Sequence, residues 1–245
     1  MIKTVFEAGL SLPMYYVFHI LGYLCVLFFN IWFGEKYNIK RWQSILTTFV
    51  VYGITYIWIY IQYWIESGFT DFGGNNMVRG FVYIPLIALP VACILKIKWK
   101  NMCDFIAPCV CISFGISHIG CIFVGCCKGF PNSWGIYHPY EKITLFPVQL
   151  FEAATALIIV LLLVYRVKKI SYRSDGLSFP IMLLCYGSTR FFWEFARNNR
   201  KILWGCSSLA FHALFMALVG GVAIMCICLL RSRRANTSNV KRRTK

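Results

Sequence analysis

The chain has 245 residues, of which 59% are hydrophobic and 14% charged, against about 45–50% and about 25% in an ordinary soluble domain. It has too little polar surface to solvate itself, which excludes a water-soluble globular fold. A net charge of +16 would suit nucleic acid if the basic residues clustered, but they are parcelled out along the chain.

Seven apolar runs are long enough to cross a bilayer, since about 20 residues at about 1.5 Å rise span the hydrocarbon core. They fall at roughly 14–34, 45–66, 78–96, 104–126, 148–165, 176–195 and 208–230. The predicted fold class is therefore an all-α polytopic membrane protein with about seven transmembrane helices. Short charged loops separate the runs and no internal repeat shows, so residues 1–230 read as one domain. The first run lacks a small-residue cleavage site and reads as a span rather than a cleaved signal. In the fourth, Asp104 opens "DFIAP" and reads as a helix cap, with Pro108 in the first turn.

Orientation follows from the loops. With the amino terminus outside, seventeen Lys and Arg fall inside: at 36–41, 96–100, 166–173 and in the tail 231–245. Six fall outside: Lys3, Lys128, Lys142, Arg197, Arg200 and Lys201. The positive-inside rule thus predicts an external amino terminus and a cytoplasmic carboxyl terminus. Residues 231–245 read as a disordered basic tail near anionic headgroups. Since the basic excess is mostly topological, no nucleic-acid partner is expected.

That topology turns residue numbers into depths. His118 lies 14 residues into the fourth run, about 21 Å from its inner start. Arg190 sits at a similar height in the sixth, with Glu194 one turn higher. Arg79, Gln149, Glu152 and His212 lie within one or two turns of the outer ends of the third, fifth and seventh runs, and His19 is similarly placed in the first. Intramembrane polar groups that share a depth predict one cavity, open toward the outer leaflet. Tyr186, Arg190, Glu194 and Arg197 recur at i, i+4, i+8 and i+11, on one face of the sixth run. An Arg190–Glu194 pair alone would neutralise itself. With Arg79, His118 and Arg197 added, at least two cations remain after that pairing, and Glu152 offsets one at most. Such an excess suits a phosphate.

Most of the twelve cysteines read as small apolar residues: Cys25, Cys93, Cys109, Cys111, Cys185, Cys226 and Cys228. Cys121 lies one turn from His118, while Cys126 and Cys127 fall at the outer mouth with Cys206 on the same face. A C-x4-C-C spacing matches zinc motifs poorly. Free thiols, or a disulfide from Cys126 or Cys127 to Cys206, are favoured over a metal, and no cofactor is expected.

The segments "SHIGCIFVGCCKG", "FPVQLFEA" and "YGSTRFFWEFAR", with "CDFIAP" upstream, resemble prolipoprotein diacylglyceryl transferases in order and spacing. The resemblance covers roughly residues 78–220. It implies transfer of a diacylglyceryl group from phosphatidylglycerol, or another anionic phospholipid, to the thiol of a lipobox cysteine in a secreted preprotein. The products are a thioether and glycerol phosphate, and the location is the outer face of the bacterial plasma membrane. The family's Gly-Arg-x-Gly-Asn signature falls on Ser117, His118, Ile119, Gly120 and Cys121, and its later glycine on Gly129. Its Gln and Glu fall on Gln149 and Glu152. Its Tyr, Arg and Glu fall on Tyr186, Arg190 and Glu194. The departures are His118 for arginine, Cys121 for asparagine and Phe146 for a histidine. In place of the family's His-Gly-Gly motif stands "VRGF", with Arg79.

In those terms His118 is the candidate base for the thiol. Arg190, with Arg79 or Arg197, would hold the phosphate; Glu194 would orient Arg190. The implied catalytic set is His118, Arg190 and Glu194. The implied substrate-binding set is Arg79, Gly120, Gly129, Gln149, Glu152, Tyr186 and Arg197. Two readings compete: a membrane thiol oxidoreductase using Cys126 or Cys127 with Cys206, and a non-catalytic lipid-binding relative.

Overall fold

The computed structural model describes residues 7, 9–70, 77–138, 141–197 and 204–243, without the side chains of 77, 79 and 234–243. Its elements in order are α1 (Ser11–Glu35), α2 (Arg41–Glu66), α3 (Met77–Phe81), α4 (Ile84–Ile94) and α5 (Trp99–Val124), then β1 (Pro131–Tyr137) and β2 (Thr144–Leu145), then α6 (Val148–Lys169), α7 (Ser178–Phe195) and α8 (Ser208–Arg243).

Helices α1, α2, α5, α6 and α8 over Ser208–Arg233 are long and apolar enough to cross a membrane. Large apolar side chains such as Phe28, Leu86, Leu161 and Phe192 point outward, as a lipid-facing surface requires. The protein is a polytopic helical membrane protein. The other two predicted spans are interrupted or polar. The run at 78–96 breaks between α3 and α4, because Pro85 has no N–H to donate to Phe81 and its ring crowds that carbonyl. Helix α7 has 18 residues and carries Arg190 and Glu194 inside it.

Helix α5 is the axis of the bundle. In its spanning window 83% of residues are buried, against 22–44% in the other four spanning helices. It packs mainly on α1 and α6, while α7 packs mainly on α8. Glycines let these pairs approach closely. A β-carbon on Gly120 would lie 3.0 Å from Tyr15 O in α1, and one on Gly187 would lie 2.6 Å from Ala217 N in α8. The early part of α1 meets the late part of α5, so the two run antiparallel. Asn30 ties three helices: its Nδ2 donates to Thr48 Oγ1 at 2.6 Å, and its Oδ1 accepts from Cys109 Sγ at 2.5 Å.

Asp104 caps a helix, but not its own. Helix α5 starts at Trp99, so Asp104 is fully buried inside it and Pro108 lies beyond the first turn. Its Oδ2 accepts from Ser174 Oγ and from the amides of Asp175 and Gly176, and its Oδ1 accepts from Ser178 N at 2.8 Å. The carboxylate thus satisfies the Ser178 amide, one of the free donors at the start of α7, and pins the α6–α7 turn to the axis.

At the opposite end, β1 and β2 form an antiparallel hairpin with Tyr137 opposite Thr144. Its base is zipped to the end of α7: Gly129 bridges to Arg197, and Phe130 N donates to Ala196 O at 3.2 Å. Only glycine fits at 129, where a β-carbon would run into Phe146 O.

Candidate active site

A cavity of about 390 Å³ opens at the hairpin end between α1, α2, α5 and α7, lined among others by Tyr15, Tyr56, His118, Cys127, Arg190 and Arg197. Behind it lies a buried ionic cluster. Glu152, Arg190 and Glu194 are each only 1% exposed, so each charge must find its partner within the protein.

Glu152, in the first turns of α6, is the hub. Arg197 grips it with a two-pronged hydrogen bond, Nε to Oε1 at 3.0 Å and Nη2 to Oε2. Arg190 Nη1 lies 3.3 Å from Glu152 Oε1 and donates to Glu194 Oε2 at 2.5 Å. Glu194 Oε1 also accepts from Ser207 Oγ at 2.5 Å. His118 Nε2 stands 2.6 Å from Glu152 Oε2 and 2.9 Å from Arg197 Nη2. Those contacts ask opposite things of one nitrogen: a proton toward Glu152, a lone pair toward Arg197. If Nε2 carries the proton and donates to Glu152, Nδ1 keeps the lone pair. The ring of Phe114 lies against the imidazole, centroids 4.1 Å apart.

Two guanidiniums thus meet two carboxylates, and the described side chains show balance rather than the arginine excess that the sequence predicts. The backbone of Arg79 belongs to α3, but its side chain lies outside the described residues. Two donors are nonetheless left over. Arg190 Nε and the Tyr186 hydroxyl are buried without a hydrogen-bond partner among the described residues. A buried unmade hydrogen bond costs about 1–3 kcal/mol, so Arg190, which lines the cavity, presents a donor that a ligand oxygen would satisfy.

The remaining predicted residues serve the frame. Gln149 Nε2 donates to Cys126 O at 2.8 Å. Gly120 receives α1, and Gly129 admits the hairpin strand. His19 lines the cavity with its Nδ1 on Tyr15 O. His212 stands apart, bonded to Ser208 O and 3.9 Å from Glu66.

The twelve cysteines are free thiols. Cys206 is not part of the sulfur group, but Cys121, Cys126 and Cys127 hold their sulfurs within 4.8 Å of one another. Cys127, in the turn beyond α5, is held well below the usual thiol range by hydrogen bonds from Cys121 and Cys126, then by the Arg197 guanidinium and His118. Sequence reasoning missed His138, whose Nε2–H donates to Gly125 O at 2.6 Å while Nδ1 accepts from Glu141 N. It also missed Ser207, although a serine just before an apolar helix is a capping signal, and its Oγ does accept from Ala210 N.

The family model for prolipoprotein diacylglyceryl transferase matches residues 3–228. The phosphatidylglycerol–prolipoprotein diacylglyceryl transferase 2 of Clostridium perfringens is 27% identical over 175 residues, 68% of this chain and 67% of its own length. The corresponding protein of Clostridium tetani is 28% identical over 160 residues, 60% and 64% of the two chains. That of Nitrosospira multiformis is 26% identical over 225 residues, 82% and 75%. The matched segments thus span about two thirds of the length of the two clostridial relatives.

Proposed function

The chain belongs to the prolipoprotein diacylglyceryl transferase family, and from that premise we propose that it transfers a diacylglyceryl group from phosphatidylglycerol, or another anionic phospholipid, to a lipobox cysteine thiol of a secreted preprotein. Under this reading the molecule crosses the bacterial plasma membrane seven times, with α3 and α4 making the third crossing. The amino terminus and the hairpin lie outside, and the basic tail lies in the cytoplasm.

The observation that carries the reading is the unpartnered, buried Nε–H of Arg190, on a side chain that is held against two carboxylates and lines the cavity. Its Nη1 is spent on Glu194 and Glu152, which fixes the plane of the guanidinium. The spare donor then meets the phosphate oxygen of the donor lipid and stabilises the charge that gathers there as the carbon–oxygen bond breaks. Glu194 and Ser207 position Arg190. Tyr186, whose buried hydroxyl is also unpartnered among the described residues, is a second donor in this proposal. His118, its Nε2–H on Glu152, takes the acceptor thiol's proton on Nδ1, and Glu152 steadies the imidazolium that results. The thiolate attacks the glyceryl carbon, and glycerol phosphate leaves. Arg79 completes the headgroup site in this proposal.

The pairing of both arginines inside the protein favours one alternative, a non-catalytic lipid-binding relative. A transfer assay separates the two. Purified protein receives phosphatidylglycerol and a lipobox-cysteine peptide. The expected result is a peptide heavier by one diacylglyceryl unit, with release of glycerol phosphate and no product from an analogue with serine in place of the lipobox cysteine. Lipid bound but never transferred, with any anionic phospholipid, would establish the alternative.

A further inference from the structure

Helix α5 ends on Gly125, whose left-handed backbone, φ 67°, turns the chain back on itself. Cys127 also takes a positive φ, 58°. The reversal folds Cys126 and Cys127 over the last turn of α5, where Cys121 waits. All three sulfurs lie within 4.8 Å of one another, and Cys126 Sγ donates to Cys121 O at 3.8 Å. His138 holds Gly125 O and Gln149 holds Cys126 O, so the turn is braced from two sides. The three cysteines line the same cavity as Arg190 and Arg197.

A tetrahedral ion about 2.3 Å from each sulfur would set them about 3.8 Å apart, so small shifts close the site. Three protein ligands with a fourth position left open are the pattern of catalytic rather than structural zinc. Soft thiolates select soft or borderline ions. Three thiolates and a dication carry one net negative charge, and the Arg197 guanidinium, though paired with Glu152, lies close enough to Cys127 to favour it.

We propose that Cys121, Cys126 and Cys127 bind a thiophilic divalent metal such as Zn2+, and that its open position in the cavity takes the acceptor thiol. The metal site stands on the sulfur geometry; the role of its fourth position rests on the transferase reading above. A thiol that coordinates such an ion is deprotonated outright; in this form of the step the metal replaces His118 as the activator, and the proton passes to cavity water. The bound sulfur then attacks the glyceryl carbon. The carbon–sulfur bond forms as the carbon–oxygen bond to phosphate breaks, and the electron pair leaves on the phosphate oxygen with glycerol phosphate. No electron is gained or lost overall, and the thioether, a weaker ligand than the thiolate, frees the ion.

The test uses the full-length protein, reduced, stripped of metal and titrated with Co2+ alone. The expected result is one ion per chain with thiolate charge-transfer bands, displaced by Zn2+. The visible bands should shift when a lipobox-cysteine peptide is added, but not with its serine analogue. Cys121→Ser and Cys127→Ser should each weaken binding at least about tenfold, while Cys228→Ser, at an exposed position of α8, should not. Circular dichroism and monodisperse elution establish that each variant is folded. No binding, or binding that survives the triple serine variant, overturns the site; bands indifferent to the peptide thiol overturn its acceptor role. Transfer measured in parallel keeps the two readings apart. Full activity in metal-free protein would sink the metal and leave the transferase. A cobalt site that answers to the thiol without any transfer would keep the metal and sink the transferase.

Discussion

Glu152 is where the ionic cluster can be broken most cleanly. It accepts both prongs of Arg197, faces Arg190 at 3.3 Å and meets His118 at 2.6 Å. Removing it leaves a buried guanidinium uncompensated. Glu152→Ala is therefore expected to cost about 3–5 kcal/mol, whereas Glu152→Met with Arg197→Met, which removes both charges, should recover most of that loss. Thermal unfolding in detergent measures both; an alanine variant as stable as the parent would contradict the cluster. These residues were legible because depth along a span can be counted from the sequence. Arg190, Glu194, His118 and Glu152 fall in one counted layer, Arg197 extends the face of Arg190 and Glu194, and the fold brings the five together. The three-sulfur group was not legible, because it depends on a left-handed turn at Gly125 that spacing alone does not encode. His138, which braces that turn, lies in a loop with no periodicity to read.

Among the elements, Asp104 and Gly187 show how helices are held in register. The Asp104 carboxylate accepts four hydrogen bonds from the α6–α7 turn and the start of α7. Hydrogen bonds to a charged acceptor are worth about 1.5–3 kcal/mol each, though their losses do not add. Asp104→Ala should destabilise the protein by more than about 2 kcal/mol, and the amides of Asp175, Gly176 and Ser178 should lose hydrogen-exchange protection first. Protection unchanged there would show that the turn holds itself. Gly187→Leu would drive a side chain into the α8 backbone near Ala217. It should cost about 1–3 kcal/mol or more by overpacking, read as a lowered Tm. The start of α5 was misread from sequence because Asp104 and Pro108 together imitate a helix start. The first turn at Trp99 carries no capping side chain. The break before α4 was available in principle from Pro85, but the apolar run passes through it unaltered.

For the whole molecule, the charge asymmetry between loops is the clearest feature of the sequence, and it predicts orientation rather than fold. A fluorescent protein fused after Lys245 should fluoresce in cells, and a phosphatase fused there should be inactive, if the tail is cytoplasmic. The reverse pattern would invert the proposed topology and place the cavity on the wrong side of the membrane for a secreted acceptor. With that orientation the cavity, the hairpin and the sulfur group all face the compartment where a preprotein emerges.

The most direct test of the central claim is the rate of diacylglyceryl transfer from phosphatidylglycerol to a lipobox-cysteine peptide by the parent and by Arg190→Ala, each shown to be folded at the assay temperature. The account predicts transfer by the parent and a loss of at least about 100-fold in the variant, as for removal of one preorganised donor at the charge that develops. Equal transfer by a folded Arg190→Ala protein would contradict it.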